Sequence, residues 1–173
     1  MKKFDLQLFA EAVQGKRIIY LFRILKDAAT KAATIMAFTT ENERTKSKDA
    51  DTTATKDGSI RTPGAAEVEI SATAILAKGD TMADDLEDAM DADELMEIWE
   101  VNLDEPTEDG KFKSRYFQGY LTEFTLTSSA EEHAEYETTF GINGNGVKGE
   151  ATVSVEQQEI ASYVFKDTNE TGA

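Results

Sequence analysis

The sequence has no cysteine, one histidine (His133), one tryptophan (Trp99) and no apolar run approaching membrane-spanning length. Without thiols there is no disulfide framework, no thiolate metal site and no cysteine nucleophile. His133 is flanked by Glu131, Glu132 and Glu135 in a turn-like stretch and reads as a surface residue. No serine stands in a nucleophile elbow that a histidine could serve. The opening MKKFDLQLFAEAV has two lysines, but Asp5, Gln7 and Glu11 interrupt the apolar stretch a signal peptide needs. The chain is therefore expected to fold in a cytoplasm, without cofactor, metal, catalytic constellation or membrane span.

Cations are scarce and unevenly placed. The net charge of the 173 residues is −16, yet residues 1–63 carry 12 Lys/Arg against 8 Asp/Glu. The remainder carries 6 against 26, and from Asp80 to Asp109 there are 14 acids and no cation. Sequence-independent DNA binding needs the opposite balance, so a DNA-binding module is excluded. A chain with a mildly basic half and an acidic half can attract copies of itself head to tail.

What is present is mainly strand-like. Residues 1–15 read as an N-terminal arm in which Phe4 and Leu8 suit a short amphipathic turn; Gly15 ends it. Lys16–Leu25 is apolar on both alternate faces, a strand covered on both sides, with Arg23 as its odd member. Lys31–Lys46 reads as a second strand, apolar near Ile35, Met36 and Phe38. Glu67–Lys78 alternates cleanly, with Val68, Ile70, Ala72, Ala74 and Leu76 opposite Glu67, Glu69, Ser71 and Thr73.

After Gly79, Thr81 and Asp84 form a capping pair for a helix whose stripe is Met82, Leu86 and Met90. Glu94–Leu103 returns to strand period, with Trp99 expected to anchor the helix on the sheet. Pro106 and Asp109-Gly110 mark a turn. Phe112–Thr127 reads as a long strand with Tyr116, Tyr120, Phe124 and Leu126 on one side and a bulge at Gly119. The next strand has Ala134, Tyr136, Thr138, Phe140 and Ile142 inside. The NGNG at 143–146 is a hairpin signal, Ala151–Val155 a last strand, and residues 159–173 a C-terminal tail.

Between the second and third strands lies KDADTTATKDGSIRTPG, Lys48–Gly64, with one large apolar residue, Ile60. It has too little to bury to order itself, and connections this long are uncommon in compact domains unless functional. It reads as a projecting arm that becomes ordered against another subunit.

Two textual motifs fail on mechanism. Gly144-x-Gly146-x-x-Gly149 matches a dinucleotide fingerprint, but a strand follows where a helix N-terminus must receive the pyrophosphate. Asp49-x-Asp51 opens like a calcium loop, but Ala54 and Ile60 stand where a glycine and an acid are required.

The runs AEAVQGKRIIYL, AFTTENERTKSKDADTTATKDGSIRTPGAAEVEISATAILAKGDTM and FGINGNGVKGEATVSVEQQ, in this order and spacing, resemble the major tail (tail-tube) proteins of long-tailed phages of Gram-positive hosts. The resemblance covers residues 10–158. It implies an antiparallel β-sandwich or barrel-like domain over residues 16–158 with one flanking helix. It further implies six copies per ring, and rings stacked into a hollow tube around a tape-measure protein. DNA passes through the bore without specific binding, and tail terminator and tail-tip proteins complete a virion tail assembled in the host cytoplasm.

On that reading Lys48–Gly64 is the inter-ring loop, through Lys48, Asp49, Asp51, Lys56, Asp57 and Arg61. It docks on an acidic face at Asp84, Asp85 and Asp88, and Glu67, Glu69, Glu123, Glu135 and Glu137 line the bore. The rival expectation is a monomeric β-sandwich module that binds a ligand such as carbohydrate.

Overall fold

The computed structural model describes residues 12–162. The expected amphipathic turn at Phe4 and Leu8, and the tail beyond residue 162, lie outside them. A short 3-10 turn at Gly15–Arg17 leads into strand β1 (Ile18–Ile24), and the long strands β2 (Thr39–Thr55) and β3 (Gly58–Ile75) follow. Helix α1 (Met82–Asp91) precedes β4 (Met96–Pro106), β5 (Phe112–Thr127), β6 (Glu135–Ile142) and β7 (Val147–Ala151), and helix α2 (Val155–Ser162) closes the described chain. The fold is mainly antiparallel β, as expected.

The strands form one sheet in the order β1-β4-β5-β6-β3-β2, with β7 also on β5. Strand β5 belongs to both halves of it. Its first half pairs with β4 and β7, and its second half with β6. At the hand-over the ladder is crowded and bent. A Cβ on Gly119 would overlap the Gly141 carbonyl oxygen, and Thr122 is an extra residue between the pairs Leu121↔Phe140 and Glu123↔Thr139. The bulge expected at Gly119 therefore lies at Thr122, while Gly119 itself permits close backbone approach.

The bend brings the halves face to face. Phe22 on β1 stacks on Phe140 on β6 with ring centroids 5.3 Å apart. Around them Ile70, Leu86, Ile98, Phe117 and Tyr136 are buried in one cluster. Ile19, Leu21, Val101 and Leu103 form a second cluster on the other side of β1 and β4, so β1 is covered on both faces as its composition indicated.

Several expectations need correction. Residues 31–38 are not a strand: they touch β1 through one bridge, Phe22↔Thr34, and turn at Phe38, whose φ is +50°. Ile35 packs against the second cluster and Met36 into the first, so the pair plugs two cores instead of lying in a ladder. Thr81 is the N-cap of the helix, but its side chain makes no cap bond with the Asp84 turn; Asp80 Oδ1, one residue earlier, accepts the Met82 N–H at 2.9 Å instead. Ala83, Leu86 and Ala89 are the buried residues of α1, with Met82 and Met90 packed at the margin. Trp99 faces the second cluster, away from the helix, and packs on Tyr116 and Arg23.

The NGNG tract does not make a hairpin either. Strands β6 and β7 both run antiparallel to β5, so residues 143–146 interrupt one line of pairing. Of the row Tyr116, Tyr120, Phe124 and Leu126, only Phe124 packs on the first cluster. Before the bulge the inward residues of β5 are Phe117, Gly119 and Leu121. Instead of a last strand at Ala151–Val155, β7 ends at Ala151 and α2 begins at Val155. This second helix opens with reciprocal bonds between Ser154 and Gln157, and Gln157 Nε2 also reaches the Ala33 carbonyl at 3.0 Å.

Candidate functional site

The segment Lys48–Gly64 is the outer part of a β-hairpin. Strands β2 and β3 stay paired out to Thr55↔Gly58, with Lys56-Asp57 at the turn and Gly58 at φ +132°, a conformation that favours glycine. Strand β6 covers β3 only from Val68 to Ile75. The rest of β3 has β2 as its one partner, which also explains how Pro63, with no N–H, is accommodated. The ribbon therefore extends roughly 30 Å past the sheet at about 3.3 Å per residue. Every side chain from Thr45 to Ala65 is exposed, Ile60 at 58%. The segment expected to gain order only against another subunit is paired within its own chain, a strand structure that the sequence reading missed. Its signal was Asp57-Gly58 between stretches rich in threonine, a hairpin signature.

Register sorts the charges of this hairpin by face. Lys46, Lys48 and Thr52 pair with Val68, Ala66 and Arg61, and so continue the core-facing side of the sheet. The opposite side carries Glu41, Glu43, Asp49 and Asp51 on β2 and Glu67 and Glu69 on β3. The six proposed loop residues thus divide. Lys48 and Arg61 lie on the basic side, Asp49 and Asp51 on the acidic side, and Lys56 and Asp57 at the tip. A bulge makes this division: Gly64 and Ala65 together face Asp49, between Lys48↔Ala66 and Ala50↔Pro63. Strict alternation from Glu67 would have put Arg61 among the acids.

The acidic side continues across the sheet. Glu69 is opposite Gly141, Glu137 is opposite both Thr73 and Thr125, Glu135 is opposite Thr127, and Glu123 is opposite Thr139. All five glutamates proposed as a lining share this wet face, joined by Glu41 and Glu43, and all are exposed. Threonine and serine fill most of the remaining positions, and no Lys or Arg occupies one on β2, β3, β6 or the second half of β5. Mutual repulsion of so many like charges is tolerated because each is solvated.

Asp84, Asp85 and Asp88 are exposed on the outer side of α1. The first turn of α1 lies near Tyr136, the partner of Ala74, whose hydroxyl is pushed up to about 12 by burial and then by Asp80. Along β3 this is on the order of 50 Å from the hairpin turn. The basic side of the hairpin and the acidic helix are therefore not brought together within one subunit.

The hairpin is fixed at its root. Arg44 on β2 donates to Glu100 on β4 at 2.5 Å, and the Tyr20 hydroxyl on β1 donates to the same carboxylate at 2.7 Å. Burial pushes the Glu100 carboxyl up, but the bonds from Arg44 and Tyr20 outweigh it and hold the group below the ordinary carboxylate range. Burial, then Glu100, pushes the Tyr20 hydroxyl well above its usual value. Sequence reasoning missed this triad, because its members lie on three strands far apart in the chain.

The rejected motifs stay rejected. After Gly144, Gly146 and Gly149 comes β7, no helix, and a Cβ on Gly146 would overlap the Phe117 ring. His133 is exposed. Among the described residues no group of three acids or histidines is arranged to hold a metal ion.

Residues 12–148 match the family model for phage tail tube proteins. The "Putative tail protein" of Staphylococcus phage phiMR25 is 38% identical over 161 residues, spanning 90% of this chain and 82% of that protein. Among solved structures, the SPP1 tail tube is similar at a TM-score of 0.71 and 20% identity, covering 94% of this chain and 95% of that one. The tail of an empty gene transfer agent particle, refined with C6 symmetry, gives 0.58 at 14% identity, over 82% of this chain and all of that one. At these identities the structural likeness concerns the fold.

Proposed function

Because the chain belongs to the phage tail tube protein family, we propose that its copies form sixfold rings that stack into the hollow tube of a phage tail, through which DNA is delivered. The observation that carries this reading is the hairpin. A two-stranded ribbon exposed on both faces is marginal on its own in water, and it gains stability by meeting another copy. The C6 symmetry of the gene transfer agent tail supports six copies per ring. The family, and not a likeness to any binding module, also decides against the carbohydrate-binding alternative.

In this reading the cation-free face with Glu67, Glu69, Glu123, Glu135 and Glu137 lines the bore. Its charges repel DNA phosphates within a Debye length of about 8 Å, so the genome slides without adhering. The hairpin, through Lys48, Lys56 and Arg61, docks on the Asp84, Asp85 and Asp88 face of a copy in the next ring. Asp49, Asp51 and Asp57 keep the rest of the ribbon solvated. One exposed ion pair is worth about 0–1 kcal/mol, but six engaged together hold a ring. The joint is heterologous, so it propagates instead of closing. A tape-measure protein inside the tube and terminator and tip proteins at its ends complete the assembly, which takes place in the host cytoplasm.

Electron microscopy of the purified protein tests this. Tubes or rings with sixfold end views are expected; dispersed monomers at high concentration, even with tail-tip partners added, would overturn it.

A further inference from the structure

A groove of about 650 Å³ lies between β1, the irregular segment 31–37 and the start of α1. Its floor is apolar, with Phe22, Met82, Leu86 and Met96, and Asp80 and Asp85 stand on its rim. The Oδ2 atom of Asp80 is buried and has no hydrogen-bond partner, a costly state for a carboxylate oxygen unless a donor arrives. Lys31, also on the rim, is already bonded to Asp27 at 2.8 Å. The groove thus asks for an apolar side chain accompanied by a cation.

The far end of the molecule offers that pair. Ile60, 58% exposed, is the one large apolar side chain in the outer hairpin; it pairs with Thr53, and Lys56 stands at the turn beyond it, while Arg61 lies on the other face. Resting on the reading that the hairpin engages a neighbour, we propose that this groove is where it docks. Ile60 of one copy enters the apolar floor of a second copy, and Lys56 at the turn supplies the donor that Asp80 lacks. Knob and groove lie at opposite ends of β3, so no copy can satisfy itself. Each contact leaves a knob and a groove free for further copies, as an open polymer requires.

The absence of native cysteine makes the test direct. The variant I60C/A32C puts one thiol on the knob and one on the groove rim, both at exposed positions. Assembled under mild oxidation, it is expected to give a ladder of disulfide-linked oligomers in denaturing gels, whereas I60C and A32C alone give dimers at most. Ile60→Asp should weaken each contact roughly tenfold, given the apolar area an isoleucine buries, and leave the monomer's melting unchanged. Tubes that form without a ladder, or with Ile60→Asp assembling as well as wild type, would overturn the groove assignment while leaving polymerisation intact. Protection of the A32C thiol from labelling in the monomer would mean that the chain's own residues fill the groove, and would overturn it too. Failure of the wild-type chain to polymerise at all would instead remove the reading beneath it.

Discussion

Arg44 on the last strand of the sheet order, β2, bonds Glu100 on the second, β4, Nε to carboxylate at 2.5 Å, with the Tyr20 hydroxyl of the first strand on the same carboxylate. Strand β2 is an edge strand whose outer half has only β3 beside it. The pair is therefore what ties the root of the hairpin to the opposite half of the domain.

Arg44→Met and Glu100→Gln should each destabilise the monomer. Their combined effect should fall short of the sum by about 1–3 kcal/mol, read from urea midpoints in a double-mutant cycle. Coupling near zero would mean that the pair does not hold the two halves together.

Glu100 has a lowered folded-state value, so its contribution is present above the unfolded carboxylate range and lost as pH falls through the folded one. Wild-type stability should therefore drop below about pH 4, where an unperturbed glutamate titrates. Glu100→Gln should flatten part of that drop. Parallel midpoint-against-pH curves for the two proteins would contradict it.

Gly119→Ala should cost about 1–3 kcal/mol or more, because the new methyl meets the Gly141 carbonyl oxygen, and backbone yields poorly. Phe140→Ala, which removes the ring stacked on Phe22, should cost about 3–5 kcal/mol. Thermal melts of the monomer read both. Gly149→Ala, with open space around it, is the control expected to change little.

Reversing Lys56 and Arg61 to glutamate should leave the monomer's melting temperature nearly unchanged, since both side chains are exposed, and abolish tubes. Wild-type assembly should also weaken with added salt, as exposed charge contacts do. Unchanged tube length in the variant, measured by electron microscopy, would count against docking by charge.

Replacing Glu67, Glu69 and Glu137 together by lysine should still give tubes, but ones that retain DNA. Retention should fall steeply with salt, as phosphate contacts require. Tubes of the variant that pass DNA as freely as wild type would remove these residues from the bore.

Much of the fold was legible because alternation survives where one face is wet. Val68, Ile70, Ala72 and Ala74 inside with Glu67 and Glu69 outside could be read from β3 alone, and Tyr136, Thr138 and Phe140 from β6. Residues 31–38 and the NGNG tract were misread because local signals do not say which strand a segment will meet. Met36 leaves any ladder for the core, and β7 pairs with β5 rather than with its sequence neighbour. Helix α2 has no apolar stripe, and its one local signal was the Ser154–Gln157 capping spacing.

The sequence by itself determined that the chain is a β protein with no thiol and no apolar run of membrane-spanning length, basic in its first third and acidic beyond, with a polar arm that has almost nothing of its own to bury. Those properties follow from composition and short-range period. Only the tertiary structure decided which face each charge occupies. Two extra residues, one at Gly64-Ala65 and one at Thr122, each shift a strand by one position. Side chains alternate with a period of two, so one shift carries Arg61 away from the acids and the other brings Glu123 to them. An amino-acid string shows the alternation, but a bulge exists only once two strands are paired.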